Sequence, residues 1–248
     1  MVSEGKDQFV FKLSPESEQS NRLVITCGLY EYRFNSSDVP YHWEWVLIDV
    51  RSWKIRVLHE SAPVWRGNCY LDDSIDVQLM NGYTEVTGSL KIGVNIESLK
   101  GLENLVSVGG DLGVLYNKNL KEFEGLEGLT SLGGNLDVWQ NPALSSMAGL
   151  SGLTSIGGSA YISGNSALES LRGIGNITSI DGDLNVYDNV SLAGLGMTKL
   201  KRVGGSLWIN YNPRLDVSLA KGLREQVAAR DGIGYSVAIN DNKDCTAP

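Results

Sequence analysis

The sequence predicts a mainly β chain: a right-handed parallel β-solenoid of roughly 24-residue coils with a C-terminal capping helix, preceded by a small antiparallel β-domain. Three observations carry this prediction. One pattern recurs at near-constant spacing from residue 86 onward. Within each copy sits a short apolar–polar–apolar stretch of strand type. Residues 1–68 lack the repeat and instead alternate apolar and polar residues with a period of two.

The repeat is visible by comparing LTSLGGNLDVWQNPAL (129–144) with LTSIGGSAYISGNSAL (153–168), 24 positions later. Aligned on the Gly before x-L, the copies start at Gly88, Gly110, Gly134, Gly158, Gly182 and Gly205, at spacings of 22, 24, 24, 24 and 23. A fixed period of this length marks a solenoid, in which each unit buries its apolar side only against its neighbours. In Leu136-Asp137-Val138 and Leu184-Asn185-Val186 the apolar residues point inward, and stacking such strands gives a parallel sheet with rungs about 4.8 Å apart. Leu144, Met147, Leu150, Leu153 and Ile156 return every third residue, which suits a chain turning corners and dipping inward at each. The glycine pairs, such as Gly133-Gly134 and Gly157-Gly158, supply either positive φ or close coil-to-coil approach, and a second column runs Gly101, Gly125, Gly149, Gly173.

A third column is Asn95, Asn117, Asn141, Asn165, Asn189 and Asn212, with Asn242 continuing it. An inward polar residue needs partners, and a stack of carboxamides supplies them by bonding the backbone of the next coil and the neighbouring Asn. The column is therefore read as a structural Asn ladder. Asn189 falls in a glycosylation sequon yet faces inward; Asn35 and Asn176 are the better acceptors if the chain passes through a eukaryotic secretory pathway.

At the C-terminus Asp216 can N-cap a helix with Leu219, Leu223 and Val227 on one face, stopped by Gly232. Val237-Ala238-Ile239 and Asn242 then repeat the strand-and-Asn spacing, so the helix is an insertion in the last coil, covering its end. In residues 1–68, Phe9/Phe11/Leu13, Tyr30/Tyr32/Phe34 and Trp53/Ile55/Val57 mark antiparallel strands, and Trp43, Trp45, Trp53 and Trp65 supply a small core. The expected division is 1–68 and 69–248. Three cysteines leave one unpaired: Cys69 and Cys245 lie at opposite ends of the stack, beyond disulfide reach, while a Cys27–Cys69 bridge is open.

From Cys69 to Cys245 the chain resembles the receptor L-domain family, the leucine-rich-repeat-like β-solenoid of the insulin and epidermal growth factor receptors, with similar domains in fungal cell-wall and bacterial surface proteins. VTGSLKI (86–92), VGGDLGV (108–114), LGGNLDV (132–138), IDGDLNV (180–186) and VGGSLWI (203–209) carry the resemblance. Tyr83 stands where many relatives have a second Cys, and there is no Cys-rich module or kinase region, so receptor signalling is not carried over. The resemblance implies ligand recognition or adhesion at the cell surface or outside the cell.

Charge and motifs narrow the partners. The net charge is −8, of which −7 belongs to residues 69–248, the wrong sign for a nucleic-acid surface. No run of 18 apolar residues occurs, so membrane insertion is not expected, and the first residues lack the apolar stretch of a signal peptide. His42 and His59 belong to no nucleophile or zinc motif, and no nucleotide-binding signature appears; no catalytic residue, metal or cofactor is expected. A polysaccharide-active β-helix enzyme would need Asp137, Asp181 and Asp183 to gather.

Function is sought where the repeat departs from itself. The outward residue between Leu and Val/Ile runs Lys91, Gly113, Asp137, Tyr161, Asn185, Trp208, and the next outward column runs Leu115, Trp139, Ser163, Tyr187, Asn210. Trp139, Tyr161, Tyr187 and Trp208 thus zigzag over four rungs with Asp137, Asn185 and Asn210 between them. Exposed aromatics beside amides and a carboxylate suit a protein or carbohydrate ligand; the alternative is that they shield the sheet or pack under residues 1–68. A rival face is the Thr130/Thr154/Thr178 column beside Ser107, Ser131, Ser155 and Ser179, of a kind that binds ice.

Overall fold

A computed structural model describes residues 64–243, apart from the side chain of Ile75, and, before them, the backbone of six strands: β1 (Val2–Ser3), β2 (Gln8–Lys12), β3 (Arg22–Cys27), β4 (Tyr30–Asn35), β5 (Trp45–Asp49) and β6 (Lys54–Leu58). The chain divides into two compact units, Met1–Ala62 and Pro63–Pro248. In the first unit β1, β2, β5 and β6 form an antiparallel sheet in the order β1-β2-β5-β6, and β3 pairs with β4 from Arg22↔Asn35 to Cys27↔Tyr30. His42, His59, Trp43, Trp53 and Cys245 lie outside the described residues, as do the side chains of residues 1–63.

The second unit is a parallel β-solenoid of about six turns. One eight-stranded sheet holds β8 (Cys69–Leu71), β10 (Leu90–Ile92), β12 (Leu112–Leu115), β14 (Leu136–Trp139), β16 (Ala160–Ser163), β18 (Leu184–Tyr187), β20 (Leu207–Asn210) and β22 (Val237–Asn240). A second holds the shorter strands β7 (Val64–Trp65), β9 (Glu85–Val86), β11 (Ser107–Val108), β13 (Ser131–Leu132), β15 (Ser155–Ile156), β17 (Ser179–Ile180), β19 (Arg202–Val203) and β21 (Gly232–Ile233). Every rung pairs in register with the next, as in Leu112↔Leu136↔Ala160↔Leu184↔Leu207. Because Val64–Trp65 pairs with β9, the first coil begins there.

Alternation makes the core. Leu136 and Val138, and their equivalents from β8 to β20, are buried, as are the corner residues Leu144, Met147, Leu150, Leu153 and Ile156; on the terminal strand β22 Val237 is exposed. Each buried aliphatic side chain contributes roughly 1.5–3 kcal/mol, repeated coil after coil. Gly133 and Gly157 have no positive φ; their role is close approach, since a Cβ on Gly157 would run into the Gly133 carbonyl oxygen of the coil before it. In the second glycine column both reasons occur: Gly125 has φ +110°, whereas a Cβ on Gly149 would collide with the Phe123 carbonyl oxygen.

The Asn ladder runs through Asn117, Asn141, Asn165, Asn189, Asn212 and Asn242. Each backbone N–H donates to the Oδ1 of the next Asn at 3.0–3.2 Å. Each Nδ2 reaches back to a strand carbonyl, as in Asn165 to Val138 O at 2.9 Å. Asn95 is a correction. It is exposed, and the N–H of Ile96 donates to Asn117 Oδ1 instead, at 3.2 Å. The cause is one extra residue: Leu90 to Leu99 spans nine positions, whereas Leu112 to Leu120 spans eight.

A short helix unforeseen in the sequence, α1 (Ser74–Leu79), follows β8. Two bonds hold its start: Asp73 Oδ1 accepts from Asp76 N at 3.0 Å, and Asp76 Oδ2 accepts from Asp72 N at 2.8 Å. The terminal helix, α2 (Val217–Ala228), begins as expected, with the Asp216 side chain accepting from Ser218 N at 2.8 Å. Its buried stripe is Ala220, Leu223 and Val227, while Leu219 is 46% exposed, one residue off that stripe. It ends at Ala228, before Gly232, which has φ +87° and opens β21. Gln226 Nε2 ties it to the previous coil through Met197 O and Leu200 O at 3.0 and 2.8 Å.

Cys69 is a free buried thiol, 3.6 Å from the Met80 sulfur, and burial pushes its pKa up to about 12. Tyr83 is buried edge-on to Trp65 at 5.6 Å between ring centroids. Among the described residues, no helix is long and apolar enough to cross a membrane.

Candidate functional site

On the longer-stranded sheet, residues between the inward Leu and Val/Ile must face out, because successive side chains alternate across a strand. Register turns these positions into columns. Gly113, Asp137, Tyr161, Asn185 and Trp208 are direct neighbours along one, and Leu115, Trp139, Ser163, Tyr187 and Asn210 along the next. Trp139, Tyr161, Tyr187 and Trp208 are all exposed, by 48, 37, 42 and 39%.

Two further aromatics join them that alternation alone did not reveal. The residue just before the ladder Asn is left-handed in each coil: Tyr116, Gln140, Gly164, Asp188 and Tyr211 have φ between +53° and +68°. That turn breaks the alternation and re-aims the side chain. Tyr116 is thereby brought to 6.0 Å from Trp139, and Tyr211 to 5.1 Å from Tyr187, measured between ring centroids. Both are half exposed.

Between the aromatics lies a depression of about 450 Å³, lined by Asp137, Trp139, Tyr161, Ser163, Asn185 and Tyr187 among others. Its size falls in the range of small-ligand sites. Five of the seven outward residues expected in the site therefore line it, while Trp208 and Asn210 stand beside it. Trp208 Nε1 donates to Ser236 Oγ at 3.3 Å, and Asn210 Oδ1 accepts from Asn240 N at 2.8 Å, so that amide serves the backbone of the last rung.

Asp137 is half-buried and forms no hydrogen bond or ion pair among the described residues; Asn185 likewise forms no side-chain hydrogen bond. Burial raises the Asp137 carboxyl above the ordinary carboxylate range, the nearby Asp111 charge raises it further, and Lys91 opposes both. The contrast with other polar groups is sharp. After each glycine pair stands Ser, Asp or Asn, and these form a second ladder not foreseen from the sequence. Asp111 Oδ1 accepts from Asn135 N, Asn135 Oδ1 from Ser159 N, Ser159 Oγ from Asp183 N and Asp183 Oδ1 from Ser206 N, at 2.7–2.9 Å. Its signal was present in the run Ser89, Asp111, Asn135, Ser159, Asp183, Ser206.

The aspartates do not gather. Asp183 belongs to that ladder, Asp181 pairs with Arg202 at 2.6 Å, and Asp137 lies on the outer face. Among the described residues no group of three or more His, Cys, Asp or Glu is placed to hold a metal. On the other face, the Thr130 and Thr178 hydroxyls donate to Val106 O and Thr154 O at 3.3 and 3.1 Å, stapling coils together. The Asn176 Nδ2, the atom a glycan would modify, donates to Ser151 O at 2.8 Å.

Fold and face together define a β-solenoid repeat protein with an aromatic outer sheet. No family model, curated protein or solved structure matches the chain.

Proposed function

We propose that this chain is a non-enzymatic recognition or adhesion module of the receptor L-domain type, working at the cell surface or outside the cell and binding a protein or glycan through the outer face of its longer-stranded sheet. The motifs from VTGSLKI to VGGSLWI support the family assignment. One observation carries the functional reading. Asp137 and Asn185 keep their hydrogen-bonding groups unengaged between exposed aromatics, while the polar side chains of both ladders are bonded to backbone. An unengaged, half-buried carboxylate costs stability, so its presence makes sense where a ligand completes its bonds. A glycosidase needs two opposed carboxyl groups, whereas a single carboxylate lines this depression.

The test is an array of glycans and cell-surface proteins probed with the purified chain and with the Trp139→Ala/Trp208→Ala variant. The expected result is capture of a defined ligand by the wild type, reduced at least tenfold in a variant that still melts cooperatively. A tenfold loss corresponds to about 1.4 kcal/mol, modest for two interface tryptophans. Undiminished capture by the variant places the binding surface elsewhere.

A further inference from the structure

The depression has a shape that its register explains. On β16 the outward residues are Tyr161 and Ser163, and the following residue is Gly164. Ser163 pairs with Trp139 on one side and Tyr187 on the other. Two large rings therefore stand two rungs apart, about 9.5 Å at the sheet spacing, with only a hydroxymethyl group between them. Tyr161 walls this notch on the strand side, flanked in its own column by Asp137 and Asn185. Past Ser163, Gly164 adds no side chain, and the Gln140 carboxamide lies over it: a Cβ there would sit 2.5 Å from Gln140 Nε2.

The notch thus offers two aromatic walls to slip a ring between, a carboxylate that only accepts hydrogen bonds, and an amide that both donates and accepts. We infer that it takes one ring of a neutral saccharide between Trp139 and Tyr187, with Asp137 and Asn185 bonding its hydroxyls; this rests on the outer sheet being the recognition face. Charge decides among the alternatives. An anionic saccharide would meet the Asp137 carboxylate and a chain of net charge −8. A quaternary ammonium would match the rings and the carboxylate, but it would leave the Asn185 amide unused and would sit beside Lys91, whose charge already acts on Asp137. A polyhydroxylated neutral ring uses every group present.

The probes are neutral hexasaccharides of glucose in its β-1,4, β-1,3 and α-1,4 linkages and of N-acetylglucosamine, with an oligogalacturonide and tetramethylammonium as the charged comparisons. Binding to the full chain is read by tryptophan fluorescence and titration calorimetry. At least one neutral oligosaccharide is expected to bind. Ser163→Trp, which fills the notch from an outward position, and Asp137→Asn are each expected to weaken it at least tenfold with the thermal melt retained, while Tyr235→Ala, at an 84% exposed residue outside the notch, leaves it unchanged. Binding of only the charged probes overturns the saccharide class, and saccharide binding indifferent to Ser163→Trp overturns the site. If no saccharide binds but the array yields a protein captured through Trp139 and Trp208, this inference fails and the wider reading stands. If neither is found, both fail.

Discussion

The backbone N–H and the Nδ2 of Asn165 both donate to the Oδ1 of Asn189, at 3.1 and 3.2 Å, inside a core from which water is excluded. Asn165 Oδ1 in turn accepts from the backbone and side chain of Asn141, each at 3.1 Å, and its Nδ2 also reaches Val138 O. One side chain thus bonds groups on the coils before and after its own. Asn165→Ala strands a buried donor and a buried acceptor, and should lower the unfolding free energy by about 2–4 kcal/mol. Ser163→Ala, two residues away on the outer face, should cost under about 0.5 kcal/mol. Urea denaturation of both checks this; equal effects would contradict the ladder's role.

Two glycines separate steric from conformational need. A Cβ on Gly133 would press on the Gly109 carbonyl oxygen of the preceding coil, whereas one on Gly164 would meet only the flexible end of Gln140, though φ there is +68°. Gly164→Ala should cost about 1–2 kcal/mol, the ordinary penalty for a left-handed L-residue. Gly133→Ala should cost more, because coils must move apart. A reversed order in chemical denaturation would show that the coils yield easily.

Much of this is legible in the sequence, because every coil solves the same packing problem and the solution recurs in the repeat. Leu136, Val138, Asn141 and Leu144 could be placed by period alone. Where a coil departed from the period, reading failed: the extra residue between Leu90 and Leu99 carried Asn95 out of the ladder. The helix α1 rests on the bonds of Asp76 to Asp73 and Asp72 rather than on a hydrophobic pattern that a sequence reading can follow. On the outer face, alternation locates Asp137 and Asn185, but Tyr116 and Tyr211 are themselves left-handed, at a turn that alternation does not reach. Asn185 and Asn210 both read as outward amides; the 2.8 Å bond from Asn240 N engages Asn210 alone.

Asp137 makes stability depend on pH in a defined direction. Its folded pKa is raised, chiefly by burial, so the folded state holds its proton more tightly than the unfolded state. Stability therefore falls as pH rises from the ordinary carboxylate range through the raised value, and is level above it. Asp137→Asn should melt at or above the wild-type temperature at neutral pH, with the difference closing in acid. A variant less stable than wild type at neutral pH would mean the carboxylate has an intramolecular partner.

Cys69 should be inert. Its thiol is buried beside Met80 and its pKa is pushed up to about 12, first by burial and then by Asp76. Only the thiolate reacts, so at pH 8 the native protein should leave Cys69 unmodified by iodoacetamide, while denaturation exposes it. Mass mapping of the labelled peptide decides; rapid native labelling would contradict the packing around β8.

The central claim is that the repeat holds the fold while the outward exceptions hold the function, and one comparison tests it most directly. The Trp139→Ala/Tyr187→Ala variant removes two large aromatics that are 48 and 42% exposed. It loses their ring contacts with Tyr116 and Tyr211, worth about 0.5–1.5 kcal/mol each, and opens no cavity in the core. Urea denaturation measured beside Asn165→Ala should show the double variant retaining a cooperative transition and losing less stability than that single amide deletion, with array capture abolished in the same preparation. A double variant that unfolds, aggregates or falls below Asn165→Ala in stability would show that these rings belong to the fold, and would contradict the account.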